Sequence, residues 1–396
     1  MLNAQTLCTP TGWDRRPLRD AAQFLDNRRV PIKEEERAKR RGPYPYYGAS
    51  GIIDYVDDYI FEEELVLLAE DGANILNRST PIAFRASGRL WVNNHAHVLA
   101  AREGHDNDFI CYFLEAIRYD AYNTGSAQPK LNREVCESIP ILLPPLPEQR
   151  RIAEILRTWD EAIEKLEALR AAKERRRKGI LQNLLGIDRP FPKHWVIKPL
   201  DKIAERIRRT NDGGDHPVMT ISAKSGFLMQ SDKFARDMAG SSVDRYTLLR
   251  EGEFAYNKGN SKTAPYGCIF PLDRPTAVIP FVYFCFKLHE SLHHQFYVHL
   301  FAAGALHHQL SRLINSGVRN DGLLNLYADD FFSCEVPVPP LAEQERIARA
   351  ISAANDEIAL IDAEITAIQR QKRGLMQKLL TGEWRVTTEQ ATEAAE

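Results

Sequence analysis

His289-Glu290-Ser291-Leu292-His293 is the string in this chain that most nearly spells out a reaction. On a helix, histidines at i and i+4 share a face and could hold zinc, with Glu290 as the general base of a metalloprotease. His299 falls at the spacing of a third ligand, but the glycine that such a pattern requires is Phe296. No glutamate lies between His294 and Asn325 to serve instead. His95 and His97 are two apart on an expected strand, hence on one face, and no further ligand pair accompanies them. No metal is expected at either place. The chain also has no Walker-type lysine loop, no G-x-G-x-x-G and no Asn-Pro-Pro-Tyr string. Nucleotide use and base methylation therefore have no visible site, and no cofactor is expected.

The remaining chemistry is that of hydrogen bonding to bases and phosphates. Tyr44–Gly51 combines aromatics, a hydroxyl and glycines, with Tyr46, Tyr47 and Ser50 as candidate DNA contacts. Asn93, Asn94 and His95 follow an apolar run, and Gly125–Lys130 offers Ser126, Gln128 and Lys130. Farther along, Asn257, Lys258, Asn260, Ser261 and Lys262 form one polar cluster, and Arg319 and Asn320 another. Such side chains read base edges, while glycine lets backbone amides approach phosphate. Taken singly, each loop reads as an ordinary surface turn; their recurrence at matching places is what carries weight.

That recurrence is a tandem duplication. Pro144-Pro145-Leu146-Pro147-Glu148-Gln149-Arg150-Arg151-Ile152-Ala153 returns as Pro339-Pro340-Leu341-Ala342-Glu343-Gln344-Glu345-Arg346-Ile347-Ala348, and Gly179 and Gln182 return as Gly374 and Gln377. More faintly, Trp13, Pro17, Leu18 and Ala22 match Trp195, Pro199, Leu200 and Ala204. Ala69 and Asn74 match Ala255 and Asn260, and Gly125 and Asn132 match Gly317 and Asn325. The globular parts have diverged and the long segments have not, which suggests two heads with different targets on one frame.

The globular parts carry short β-type runs, 51–56, 65–69 and 90–92, followed by helical stretches near Phe109–Ala121 and near Val282–Leu300. The class is α+β. After each proline pair the apolar positions step by four and three, through Ile152, Leu156, Trp159, Ile163 and Leu166 and again through Ile347, Ile351, Ala354, Ile358, Ile361, Ile365 and Ile368. That is a coiled-coil seam, ended by Gly186 and Gly382. A seam so narrow needs a partner, and the other copy supplies one. The run Lys173–Lys178 could touch phosphate, but such runs are more often solvated helix faces. The expected organisation is a head over 1–143, a long helix over 144–190, a second head over 191–338, a second long helix over 339–385, and an acidic, disordered tail over 386–396.

With 396 residues, 27% of them charged, and a net charge of -2, the chain is long enough for two or three domains. Its overall field does not favour nucleic acid, so any DNA-binding charge must be local. None of the six cysteines forms a C-x-x-C pair. Met1–Arg16 has no apolar signal core and no run is apolar enough to span a bilayer, so a cytoplasmic location without membrane contact is expected.

These features together resemble the Type I restriction-modification specificity subunit. The paired motifs Pro144–Ala153 and Pro339–Ala348 carry the resemblance most specifically. The segments 46–51, 69–74, 93–97 and 124–132 are similar to one common type of target-recognition domain in that family. The resemblance implies two tandem target-recognition domains, each reading half of a bipartite site in double-stranded DNA, and two long helices paired as an antiparallel coiled coil. It implies two methyltransferase (modification) subunits and restriction/translocase subunits as partners, and no catalytic centre in this chain. The competing readings are a coiled-coil adaptor that does not bind DNA and the zinc metalloprotease of His289, Glu290 and His293.

Overall fold

Leu65–Ala69 has no polar residue, and such a run is satisfied as a strand only where both faces are covered. In the computed structural model it lies inside a sheet and is buried throughout. The structure describes residues 1–186, 191–233, 240–259, 263–314 and 323–386. The chain falls into two units, one of Met1–Ala168 with Ala363–Glu396, the other of Leu169–Asp362.

In the first unit the strands are β1 (Asp14–Pro17), β2 (Ala22–Phe24), β3 (Arg41–Gly48), β4 (Gly51–Val56), β5 (Phe61–Glu62), β6 (Leu65–Ala69), β7 (Ala83–Ala86), β8 (Arg89–Val92), β9 (Ala96–Ala101) and β10 (Pro140–Leu143). One sheet has the order β2-β9-β6-β7 and a second β4-β3-β8-β5, while β1 pairs with β10. The helix Asn107–Ala116 packs on β6 and β7, its first turn capped by the Asp106 carboxylate, which accepts from the Phe109 amide at 2.9 Å. It stops short of the expected Ala121 because Ile117 turns extended and pairs with Leu2.

In the second unit the strands are β11 (Val196–Pro199), β12 (Ala204–Arg206), β13 (Met219–Ser222), β14 (Gly226–Met229), β15 (Thr247–Arg250), β16 (Phe254–Asn257), β17 (Cys268–Pro271), β18 (Thr276–Ile279), β19 (Phe284–Leu288) and β20 (Glu335–Val338). Its main sheet, β12-β19-β16-β17, repeats the first unit's order, and β11 pairs with β20 as β1 does with β10. The ladders fix the correspondence. Ala22 faces Ala101 as Ala204 faces Leu288, and Val66 faces Leu99 as Phe254 faces Phe286. Ala69 therefore matches Asn257 rather than Ala255. The sequence match had slipped by two residues, a shift that keeps each side chain on its own face of the sheet and so leaves the apolar pattern intact.

The expected helix near Val282–Leu300 is not continuous. β19 occupies Phe284–Leu288, and the helix begins only at His294 and ends at Ala302. His289 donates its amide to Ile203 and so extends the ladder, which forces the next residues into a turn. His289 and His293 thus do not share a helical face, and His299 is buried with its Nε2 2.9 Å from the Ser352 hydroxyl. The geometry that made the string a candidate zinc site is missing.

Each long segment is one helix of 40 residues, Leu146–Leu185 and Leu341–Leu380, about 60 Å at 1.5 Å per residue. Gly186 and Gly382 follow them in the left-handed region, at φ 62° and 68°, where a glycine ends a helix without strain. Within the first unit, Asp160 takes an ion pair from Lys372 and a hydrogen bond from the Tyr112 hydroxyl at 2.7 Å. Ile152 and Leu156 share a core with Leu379 and Leu380. Within the second, Arg170 pairs with Asp362 and Lys173 with Glu357 at 2.9 Å, while Ile180 and Leu184 pack with Ile347 and Ile351. In both units early residues of one helix meet late residues of the other, so the two helices pack antiparallel. The basic run is partly spoken for: Lys173 and Arg176 face Glu357, and Arg177 faces Glu174.

Candidate nucleic-acid interface

The repeated Glu-Gln of the two helix-starting motifs has a structural job. Gln149 donates from Nε2 to the Pro144 carbonyl at 2.8 Å and accepts at Oε1 from the Asp106 amide at 3.0 Å. Gln344 does the same with Pro339 and the His293 amide, at 2.7 and 2.9 Å. One side chain thereby ties the start of a long helix to the start of the shorter helix in its head. Glu148 accepts from the Trp13 indole at 3.2 Å and from the Arg385 guanidinium through both oxygens. Glu343 accepts from the Trp195 indole at 3.1 Å. The Glu-Gln pair of the most specific sequence motif thus ties each long helix to its own head.

The polar segments of the first unit come together through backbone bonds. Asn93 donates its amide to the Tyr47 carbonyl at 3.0 Å, Glu70 donates to the His95 carbonyl at 2.9 Å, and Leu131 donates to the Glu70 carbonyl at 2.7 Å. Asp71 bridges to Lys130, and Gly72 donates to the Pro129 carbonyl. Stretches far apart in sequence, 46–51, 69–74, 93–97 and 124–132, therefore sit side by side. The 124–132 loop is itself pre-formed. The Asn123 carboxamide oxygen accepts from the Gly125 and Lys130 amides, and a Cβ on Gly125 would stand 1.8 Å from the Gln128 carbonyl oxygen. Only glycine allows that closure.

The candidate residues divide. Ser50, Asn94, His95, Ser126, Gln128 and Lys130 are exposed on these adjoining loops. Asn93 is buried, its carboxamide accepting from the His95 amide at 2.8 Å to shape the turn. Tyr46 is buried too, and its hydroxyl accepts from the Ile32 amide at 2.9 Å. Tyr47 is half-buried and stacks on Phe84, and burial beside Tyr55 pushes its phenol pKa up. His95 meets Asp71 at 2.8 Å, whereas His97 is buried and turned to other partners, so the two histidines do not converge. In the second unit Asn257 accepts from the Gly259 amide and donates to the Ile221 carbonyl, and Lys258 lies over the Phe284 ring at 5.3 Å. Asn260, Ser261, Lys262, Arg319 and Asn320 lie outside the described residues.

Sequence reasoning overlooked Ile52, Ile53 and Tyr55. All three are exposed on β4, an edge strand that leaves the Ser50 turn. Their signal was available in the unbroken apolar pair Ile52-Ile53, too long for an alternating strand with one wet face.

Comparison with known proteins places this architecture. The family model described as the Type I restriction modification DNA specificity domain matches residues 10–173. A putative type I restriction enzyme specificity subunit of Haemophilus influenzae is 39% identical over 142 residues, 36% of each chain. A type I restriction enzyme specificity subunit of Methanocaldococcus jannaschii is 22% identical along 96% of this chain and 95% of its own. The crystal structure of a Type-I restriction-modification S subunit from M. genitalium overlays with a TM-score of 0.60 at 15% identity, covering 98% of this chain and all of that one. A chain from a structural study of complex assembly in the type I R-M system overlays at 0.52, also at 15% identity, covering 95% of this chain and all of its own. At that identity the overlays speak for the fold alone. Residues 10–173 thus match the Type I restriction modification DNA specificity domain, and along nearly its whole length the chain is similar to a type I restriction enzyme specificity subunit.

Proposed function

We propose that this chain reads a bipartite site in double-stranded DNA, one half-site per head, and directs modification and restriction by subunits that carry the chemistry. The heads are 1–143 and 191–338, and the long helices 144–190 and 339–385 join them. The observation that supports this most is the meeting of four polar segments in the first unit. Their exposed ends, Ser50, Asn94, His95, Ser126, Gln128 and Lys130, offer donors and acceptors suited to base edges and phosphates. Ile52 and Ile53 add apolar surface beside them, the complement of a thymine methyl. In the second unit Asn257 and Lys258 hold the matching place, and Asn260, Ser261, Lys262, Arg319 and Asn320 complete the proposed contacts.

The partners in this reading are two methyltransferase subunits, one for each copy of the repeated helix motif, and restriction/translocase subunits. The duplication presents two like surfaces, which favours two copies of one partner. No helix among the described residues is long and apolar enough to cross a membrane, which fits a cytoplasmic complex working on DNA. The test is methylome sequencing of cells in which residues 1–143 are exchanged for another head of the family. One half of the methylated motif should change and the other stay. A change in both halves, or no methylation that depends on this chain, would sink the reading.

A further inference from the structure

Beneath the converging loops of the first unit lies a set of buried charges that the DNA-reading proposal does not use. His97 stands on β9 with Nδ1 2.7 Å from an Asp26 oxygen and Nε2 2.8 Å from the Leu131 carbonyl oxygen. The Leu131 carbonyl only accepts, and Asp26, its pKa held below the ordinary carboxylate range, is ionised and only accepts too, so both ring nitrogens carry protons and the ring is an imidazolium. The other Asp26 oxygen accepts from the Val98 amide at 2.8 Å. Arg29 donates to Glu70 at 2.6 Å and to the Ala96 carbonyl at 2.8 Å, and its guanidinium is 3.6 Å from Asp26. Glu70 in turn lies 3.3 Å from the Lys130 ammonium. Asp26, Arg29, Glu70 and His97 are all largely withdrawn from solvent.

We infer that Asp26, Arg29, Glu70 and His97 form a charged brace that sets the position of the Asn93–His95 turn and the Ser126–Lys130 loop, and so act as positioning residues for first-half-site recognition. This rests on the DNA-reading proposal above. The brace touches both loops at fixed points: the Leu131 carbonyl through His97, the Ala96 carbonyl through Arg29, and Lys130 through Glu70. Charge-assisted bonds are short and directional, so they hold a loop to a tighter tolerance than apolar packing does. Base reading needs that tolerance, because one bidentate contact shifted out of range forfeits its discrimination. The titration behaviour agrees. Burial alone would lower the His97 pKa, yet the bonds and charges of Asp26 and Cys136 outweigh it and push the value up to about 10. Asp26, which burial alone would raise, is held below the ordinary carboxylate range by His97, Val98 and Arg29.

At the corresponding described positions the second unit carries other residues. The ladder correspondence puts Phe284 where His97 stands, Lys258 where Glu70 stands and Arg208 where Asp26 stands. Leu324 donates to the Lys258 carbonyl as Leu131 does to that of Glu70, so the backbone path is kept while the charges are not.

The experiment uses the full chain assembled with its modification subunits. The probes are duplexes carrying its mapped site, with either half-site scrambled. His97→Gln keeps one donor and loses the charge; Asp26→Leu with His97→Phe replaces the buried pair by an apolar one. Both should reduce discrimination against a scrambled first half-site roughly tenfold, about what one base contact is worth. Discrimination at the second half-site should stay within about twofold of the original, well below one contact's worth. If His97→Gln unfolds the unit, the apolar pair decides. A folded apolar variant that still discriminates the first half-site fully would overturn the brace, as would equal losses at both halves, the mark of a merely structural role. An unsubstituted complex that discriminates neither half-site would overturn the DNA-reading proposal, and the brace with it.

Discussion

Where the first unit buries an imidazolium between Asp26 and Leu131, the second packs a partly buried Phe284 against Tyr256 and Phe331, with ring centroids 5.9 and 5.6 Å apart. The surrounding strands run in the same order and register. Two copies of one backbone path are therefore held by different forces. The apolar solution stabilises through area removed from water and tolerates small shifts. The charged one has costly components that must be satisfied together, and in return it fixes direction. The helix-starting motifs show the opposite. Gln149 and Gln344 make the same two bonds in both units, because that joint has one geometry to preserve whatever each head reads.

The comparison breaks most sharply at Asp26. Asp26→Ala would leave His97 charged or force it neutral with an unsatisfied nitrogen, and loss of one partner from a buried pair costs about 3–5 kcal/mol. The matching change in the second unit, Arg208→Ala, removes an exposed side chain and should stay within about 0.5 kcal/mol. Denaturant unfolding of the two variants measures both. Comparable losses would show that the units are held alike.

A milder form of the same test uses pH. The folded pKa of His97 is raised to about 10 from 6.5, so its stabilisation is complete below about pH 6.5 and is lost as pH climbs through 10. Asp26 is depressed, so its contribution is present above about pH 4 and lost as pH falls through its folded value. The groups facing the ring are Asp26, Glu70, Cys136 and, through Asp26, Arg29. Thermal unfolding between pH 6.5 and 10 should show a decline in the unsubstituted chain that is absent when Asp26→Leu and His97→Phe are combined. Parallel curves would mean that His97 is not charged when folded.

The joints should respond equally. Gln149→Ala strands the Asp106 amide and Gln344→Ala strands the His293 amide, each at about 1–3 kcal/mol for a buried unsatisfied group. Unfolding of the two single variants should agree within about 0.5 kcal/mol, the usual spread between independent sites. A clear inequality would show that the two helix starts do not do the same work.

Much of this organisation was legible in the sequence because it rests on periodicity and repetition. The runs Gly51–Val56 and Leu65–Ala69 are strands with those bounds, and the steps from Ile347 to Ile365 mark a buried helix face. What was not legible depended on long-range pairing. Tyr46 looked like a DNA contact because its neighbours are turn residues, yet its ring is committed to Ile32 and Val56 in the core. His97 looked like the twin of His95, but Asp26 reaches it from 71 residues away. The His289–His293 string matched a helical motif by spacing alone, and the ladder bond from His289 to Ile203 made it a turn. No local pattern encodes such partners.

The smallest expected effect on stability tests whether the two heads differ at their surfaces as they do beneath them. Ile52, Ile53 and Tyr55 are 47, 53 and 51% exposed on β4, while none of the large apolar side chains of the β13–β14 hairpin, Phe227, Leu228 and Met229 among them, is exposed. Side chains already half in water add little to the folded state, so Ile52→Ser with Ile53→Ser should change stability by no more than about 0.5 kcal/mol. If they lie against thymine methyls in the first half-site, the same change removes apolar contact worth about 0.8 kcal/mol per methylene-sized group. Affinity for the cognate duplex should then fall roughly threefold to tenfold, about 0.7–1.4 kcal/mol. Replacing thymine by uracil deletes the methyl from the other side of the contact. Uracil in the first half-site should weaken binding by the unsubstituted chain and have little further effect on the Ser variant, whereas uracil in the second half-site should act equally on both. An unsubstituted chain indifferent to uracil in the first half-site would show that the exposed isoleucines meet no thymine, and that the two heads differ in how they are held and not in this surface contact.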